Sequence, residues 1–274
     1  MSSVAQALER AQRELRVAAQ EESLQQAKLL VAHILGCAQG ELFLKRDHPL
    51  TQQQFVQLEE LLQRRINGEP LQYLLGVWGF MGLMFQVAPG VLIPRQDTET
   101  LCEHALKLAK ERGYKTALDL CCGTGCIGIS MAKLGGLTVT CSDISPDCVA
   151  LTQQNAEYNG VSVVMLQGSF FAPVTGRFDL IVSNPPYLTA EDMKNLQREV
   201  AFEPELALYG GEDGLSAYRE IALGYEAHLN KGGVLLLEVG AMQARDVASL
   251  FSGRHTECIY DYNGVARVVQ VDAR

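Results

Sequence analysis

Residues Phe178 to Leu188 read FDLIVSNPPYL, an apolar, strand-favouring run that meets an amide side chain, two prolines and a tyrosine. Adjacent prolines donate no backbone hydrogen bonds and hold φ at about −65°, so a strand entering this stretch must stop there. At the stop stand Asn184, whose side chain both accepts and donates, and the carbonyl of Pro185, kept rigid by Pro186 behind it. Tyr187 adds an aromatic wall or a hydroxyl. A second constellation lies in LDLCCGTGCIG, where Asp119 precedes Gly123 and Gly125, and Asp143 follows eighteen residues after Gly125. A glycine turn between strand and helix lets a ligand reach the backbone and the first helical amides. A carboxylate closing the next strand accepts hydrogen bonds from ribose hydroxyls. Each constellation alone has a plain structural reading, since Asn-Pro starts turns and tight turns need glycine. Together they describe an adenosine-type cofactor beside a hydrogen-bonding rim.

The spacing of the loop admits two cofactors. From Gly123 the chain reads G-T-G-C-I-G through Gly128, the spacing of a nicotinamide-nucleotide loop. Counted from Asp119 it reads D-x-x-x-G-x-G, the spacing of S-adenosyl-L-methionine-dependent methyltransferases. Residues elsewhere in the chain have to decide between them.

Both constellations need a sheet whose strand ends meet. Short apolar runs (TALDLC, LTVTCSD, SVVMLQ, FDLIVS, GVLLLEV, HTECIYD and VARVVQV) alternate at first with amphipathic segments at 126–134 and 146–158. That alternation predicts a parallel sheet with helices on both faces. Only DYNGVA separates the last two runs, which predicts an antiparallel hairpin at one edge. The glycine loop then follows the first run and the NPPY stretch the fourth, on the rim where open α/β sheets bind ligands.

Upstream, Val4, Leu8, Ala11 and Leu15 recur at helical spacing, and a second stripe from Leu24 to Ile34 stops at Gly36. Thr51 with Gln54 makes a capping box ahead of Phe55, Leu58, Leu61, Leu62 and Ile66, a stripe ending at Gly68. The organisation expected is a helical domain over 1–75, a β-hairpin linker over 76–94 turning at Gly82, and an α/β domain over 95–274. Arg95, Thr98 and Glu99 read equally as a helix start capped by Thr98 or as site residues.

Bulk properties narrow the function class. The chain has 274 residues, 47% of them hydrophobic, but no run of eighteen or more apolar residues, so no membrane span is expected. MSSVAQALERAQREL lacks an apolar core, so a secretory signal is not expected and the cytoplasm is the default. Net charge is −9: residues 1–75 carry 8 basic and 9 acidic side chains, the remainder 15 and 23. An acidic catalytic half is a poor footprint for nucleic acid, and direct nucleic-acid binding is not expected. The eight cysteines contain no C-x-x-C pair and several sit in apolar runs, so Cys121, Cys122 and Cys126 read as small fillers, not as metal ligands.

The stretches GEPLQYLLGVWGFMGLMFQV, LIPRQDTETL, LDLCCGTGCIGI, SDISPDCVALTQQNA, SNPPYL and FEPELALYGGEDGLSAYREI carry a resemblance. The chain is similar, nearly end to end, to the bacterial peptide chain release factor glutamine methyltransferases. SNPPY alone is shared with enzymes that methylate amino groups of adenine or guanine in nucleic acids; Glu203-Pro204 followed by Gly211-Glu212-Asp213-Gly214 is far more specific. The resemblance implies a helical substrate-recognition domain, a hairpin linker and a Rossmann-like, seven-stranded class I methyltransferase domain. It also implies transfer of a methyl group from S-adenosyl-L-methionine, which becomes S-adenosyl-L-homocysteine. The acceptor it implies is the glutamine amide nitrogen in the Gly-Gly-Gln loop of release factors, which modulates translation termination.

Carried over residue by residue, cofactor contacts fall on Asp119, Cys121, Cys122, Gly123, Thr124, Gly125, Asp143, Phe170 and Asn184. Substrate contacts fall on Asn184, Pro185, Pro186 and Tyr187, with Asn184 and the Pro185 carbonyl as the catalytic pair. A carboxamide nitrogen is a poor nucleophile, and two acceptors that take both its N–H bonds would aim its lone pair. No metal and no general base with a shifted pKa are expected; the proton would leave to water.

The chain departs from the family pattern in places. Cys121 and Cys122 open the loop where the family has glycine and a small polar residue, and a Cβ at 121 disfavours positive φ. Phe170 stands where tryptophan is common, and Gln96 replaces a second proline. The Cys-Gly-x-Gly loop also resembles that of RNA uridine methyltransferases, which need a nucleophilic cysteine in a later catalytic motif; beyond the NPPY stretch the only cysteine here is Cys258. Two alternatives are a nucleic-acid adenine or guanine amino-methyltransferase, and a methyltransferase-like scaffold that docks a partner without catalysis.

Overall fold

The computed structural model of the protein describes residues 2–18 and 21–273. The chain divides into two compact units: one runs up to Gly76 and includes Gln197–Phe202, the other holds Val77–Leu196 and the chain from Glu203 onward.

The first unit is helical. Helix α1 (Val4–Val17) starts with a capping box in which the Ser3 hydroxyl accepts from the Gln6 amide and the Gln6 side chain accepts from that of Ser3. Helix α2 (Ser23–Leu35) stops at Gly36, and α3 (Gln52–Ile66) begins with the predicted Thr51–Gln54 capping box. A short α4 (Leu71–Leu75) follows. The apolar stripes of these helices meet in one core that includes Leu15, Leu30, Leu58 and Leu62. Gln197–Phe202 joins this unit through an ion pair between Glu199 and Arg65, a guanidinium only 2% exposed that also donates to the Gln26 side chain at 2.7 Å.

The second unit opens with an antiparallel hairpin, β1 (Val77–Phe80) and β2 (Leu83–Gln86). Its turn residues Met81 and Gly82 both have positive φ, 51° and 74°, as the twist of a tight hairpin demands. Then come α5 (Asp97–Arg112), β3 (Thr116–Leu120), α6 (Cys126–Gly135), β4 (Thr138–Asp143), α7 (Pro146–Tyr158), β5 (Val164–Gln167) and β6 (Phe178–Ser183). The chain ends with α8 (Glu205–Leu208), α9 (Ser216–His228), β7 (Leu229–Glu238), α10 (Ala244–Ser249), β8 (Thr256–Tyr260) and β9 (Ala266–Asp272).

The seven strands after the hairpin form one sheet in the order β5-β4-β3-β6-β7-β9-β8. The first five are mutually parallel, and the last two form the predicted antiparallel hairpin, with β9 against β7 and β8 outermost. The central strands have no polar alternation because both faces are covered. Ala117, Leu180, Val182, Val234 and Leu236 pack on one side with residues of α5 and α6. Leu118, Ile181, Leu235 and Leu237 pack on the other with residues of α9 and α10. Strand order reverses between β3 and β6, so their carboxyl ends flank the crevice of a doubly wound sheet.

One expectation fails in detail. Thr98 does not cap α5: the helix starts at Asp97 behind Gln96, and Thr98 lies in its first turn, buried. Asp97 and Glu99 supply the negative charge that helix starts favour, so the helix forms without a hydroxyl cap.

Candidate active site

Sheet register brings the candidate residues together. Leu120 of β3 pairs with Ser142 of β4 and with Ser183 of β6, and Ser183 pairs with Leu237 of β7. The next residue on each strand therefore lies on one line across the carboxyl rim: Asp143, Cys121, Asn184 and Glu238. Residues more than twenty apart in sequence become neighbours because four parallel strands end together. The Ser183 hydroxyl, donating to the Leu120 carbonyl at 2.8 Å, ties the two central ends.

A cleft opens above this rim. Loop residues 121–124, Asp143, Phe170, Asn184 and Pro186 line it. Asp119, Gly125, Pro185 and Tyr187 do not. Asp119 lies wholly buried beneath the loop, where one oxygen accepts the Gly128 amide of α6 at 2.8 Å and the other has no hydrogen-bond partner. Gly125 is the hinge into α6 at φ 77°, and a Cβ there would stand 2.6 Å from Thr152 Cγ2. Tyr187 turns back against the α9 side of the sheet.

Helix α7 fixes the loop from behind. Thr152 donates to the Gly123 carbonyl at 3.0 Å, and Asn155 donates to the Thr124 and Gln86 carbonyls at 2.9 and 3.0 Å. Asp143, 9% exposed, accepts the Gly123 amide on one oxygen and the Ser145 amide on the other, both at 2.9 Å. Each oxygen keeps a second lone pair, which suits a vicinal pair of ribose hydroxyls. The ring of Phe170 supplies an apolar face, held by a left-handed backbone at φ 43°. Cys121 shares that strain, with φ 57° despite its Cβ. Strained backbone at two cleft residues marks the place where the fold yields to the site. These groups fit an adenosyl amino acid: a carboxylate for ribose, an aromatic face for a base, and backbone exposed at Gly123.

The NPPY stretch is clamped by the stretch that carried the most specific resemblance. Glu203, buried, accepts the Ile93 amide at 3.0 Å and the Arg95 guanidinium. The Leu188 amide donates to the Leu208 carbonyl and the Gly210 amide to that of Leu188, both at 2.8 Å. A Cβ on Gly214 would stand 2.4 Å from the Tyr187 carbonyl oxygen, so the glycine permits the close approach. Gln243 adds a donor to that same carbonyl at 2.9 Å. Asn184 donates through Nδ2 to Thr98 Oγ1 at 3.3 Å.

The sequence foretold no shifted carboxylate near the site, yet there are two. Burial raises Asp119 and Glu238 each to about 7, because an apolar interior penalises the charged form. The Gly128 amide opposes the shift at Asp119, and the Thr98 hydroxyl opposes it at Glu238. Neither carboxylate lines the cleft. Of the two readings the sequence left open for Thr98, the structure places it in the cleft wall; Glu238 was not singled out, although a lone acid closing the run GVLLLEV was a visible signal. Burial raises Tyr187 to about 12, which leaves its hydroxyl protonated. The thiols of Cys121 and Cys126 are pushed up by burial, and that of Cys122 by a hydrogen bond with Cys141 and by burial, so none is an activated nucleophile. Cys258 lies on β8, the far edge of the sheet. Among the described residues no three His, Cys, Asp or Glu side chains converge as a metal site.

Comparison with known proteins gives the family and the fold. The PrmC N-terminal domain family matches residues 6–76 and the methyltransferase small domain family residues 96–231. A release factor glutamine methyltransferase of Geobacter sulfurreducens is 42% identical over 259 residues, covering 91% of this chain and 90% of its own. One from Haemophilus influenzae is 38% identical, covering 88% and 89%. The chain belongs to the release factor glutamine methyltransferase family. Solved structures extend the likeness to the fold. A methyltransferase from Pyrococcus furiosus superposes with a TM-score of 0.54 at 18% identity, over 81% of this chain and 98% of that one. A Thermus thermophilus 16S rRNA N2 G1207 methyltransferase superposes with a TM-score of 0.53 at 20% identity, over 72% and 50%. Within the release factor glutamine methyltransferase family, this member opens its glycine loop with two cysteines. The structure accommodates the first by strain and the second by burial.

Proposed function

We propose that the protein methylates the side-chain amide nitrogen of the glutamine in the Gly-Gly-Gln loop of peptide chain release factors, using S-adenosyl-L-methionine. The observation that carries this reading is the register of the rim, which sets Asn184 beside the glycine loop and Asp143 in a member of this family. When bound, the cofactor supplies an electrophilic methyl group on sulfonium. In this reading Asp143 holds the ribose hydroxyls, Phe170 covers the base, and the backbone of 121–124 lies along the remainder. Asn184 Oδ1 and the Pro185 carbonyl accept both N–H bonds of the substrate amide, fixing its rotamer and turning its lone pair toward the methyl. Pro186 and Tyr187 keep that carbonyl in place. Water takes the proton, since no residue of the cleft has the pKa to remove it from an amide, and no step is assigned to a metal.

The helical unit is assigned to gripping the release factor. The cytoplasm, where release factors work, is the assigned location. Among the described residues no helix is long and apolar enough to cross a membrane. The acidic balance of −9 favours a protein substrate over a nucleic-acid one. Calorimetry with S-adenosyl-L-methionine tests the cofactor half of the reading. Asp143→Ala is expected to weaken binding about 10- to 100-fold, the worth of hydrogen bonds to a charged group; unchanged affinity would remove Asp143 from the site.

A further inference from the structure

We propose that Thr98 and Glu238 form a positioning relay that fixes which end of the Asn184 amide faces the cleft. The relay rests on the methyl-transfer reading above for its consequence, but its geometry stands by itself. Glu238 is the residue of β7 level with Asn184 on β6, and Thr98 reaches both from the first turn of α5. Thr98 is 2% exposed and Glu238 3%; Thr98 and Asn184 both line the cleft, and Glu238 lies behind them.

The direction of the hydrogen bonds follows from the number of protons. An ionised carboxylate only accepts, and a hydroxyl carries a single proton. When the Thr98 hydroxyl donates its one hydrogen bond to Glu238, it can only accept from Asn184. The amide must then present Nδ2 to Thr98, at 3.3 Å, and keep Oδ1 for the cleft. That is the orientation a substrate N–H requires. The opposite orientation would meet the substrate amide donor to donor. Packing gives no account of Glu238, since its second oxygen is buried without a hydrogen-bond partner, a costly arrangement for a carboxylate.

Protonation would undo the relay. A neutral Glu238 carries its own donor, and Thr98 becomes free to donate to Asn184 and turn the amide around. The groups facing Glu238 are Asp97, which favours protonation, Arg267 and Arg95, which oppose it, and Tyr187, Tyr218 and Cys126, whose own ionisation it disfavours. Thr98 and Glu238 are positioning residues: both act through the Asn184 amide, Thr98 directly and Glu238 through Thr98.

The test uses the full-length protein, wild type and as Thr98→Val, Thr98→Ser and Glu238→Gln. With ¹⁵N labelling, the side-chain amide of Asn184, assigned by its loss in Asn184→Ala, is followed across neutral pH. The relay predicts a titrating amide signal in the wild type that no longer titrates in Glu238→Gln. For methyl transfer to a release factor, Thr98→Val is expected to lose about 100-fold in kcat with cofactor affinity within about 3-fold of wild type, and Thr98→Ser to recover most of it. The acid side of the kcat profile should flatten in Glu238→Gln. An Asn184 amide indifferent to pH in the wild type, or Thr98→Val at full kcat, would overturn the relay. A titrating amide in a protein that labels no release factor would uphold the relay and overturn the substrate reading instead.

Discussion

Cys121 holds a backbone conformation that costs a side-chain-bearing residue about 1–2 kcal/mol, whereas glycine takes it freely. Glycine ordinarily loses about 0.5–1 kcal/mol by its freedom in the unfolded chain, so the two effects oppose each other. Strain is the larger. Cys121→Gly is expected to leave the protein about 0.5–1 kcal/mol more stable in urea denaturation; a loss greater than 1 kcal/mol would show that the thiol's packing outweighs the backbone. At this scale the sequence was readable wherever a residue's role lay in its immediate neighbours. Asn184 before two prolines, Asp143 at a strand end and the disfavoured Cβ at 121 all announced themselves. Thr98 did so only as one of two equal readings, because a contact across 86 residues to Asn184 decides between them, and Glu238 not at all, because its place depends on the end-to-end register of β6 and β7.

Elements place these residues, and α7 does much of that placing. Asn155, fully buried, joins the Gln86 amide, the Gln86 carbonyl and the Thr124 carbonyl, so it links β2 to the glycine loop. Asn155→Ala would leave three backbone groups without partners, and at about 1–3 kcal/mol for each group left dry the protein should lose about 2–4 kcal/mol, allowing for water at the rim. Thermal melting with and without cofactor would check this, and the loss should be accompanied by weaker cofactor binding. A variant with unchanged melting would mean that the loop holds its own shape. Strands and helices themselves were legible from periodicity, down to the Thr51 cap and the hairpin turn. What periodicity could not show was order: the place of β9 between β7 and β8, or the clamp of 203–214 on the NPPY backbone, depends on long-range pairing that no local pattern encodes.

For the molecule as a whole, two buried carboxylates set a pH dependence of stability. Asp119 and Glu238 are raised to about 7 in the fold, from ordinary values of 3.8 and 4.5. Between those limits the folded protein holds protons that the unfolded chain has released. Their contribution to stability is therefore full below about pH 4 and is lost as pH rises to about 7. Asp119→Asn and Glu238→Gln should each flatten that part of the curve in denaturant titrations at a series of pH values; a steeper curve in either variant would contradict the assignment. The wider claim joins this fold, its rim and its family in one reaction. The most direct measurement is transfer of labelled methyl from S-adenosyl-L-methionine to a purified release factor, with the labelled residue located by peptide mass spectrometry. The factor with its loop glutamine changed to asparagine, duplex DNA, and the enzyme variant Asn184→Ala are run alongside. The account predicts label on the loop glutamine alone, none on the altered factor or on DNA, and a rate at least about 100-fold lower with Asn184→Ala. Label on DNA, or full activity without Asn184, would contradict it.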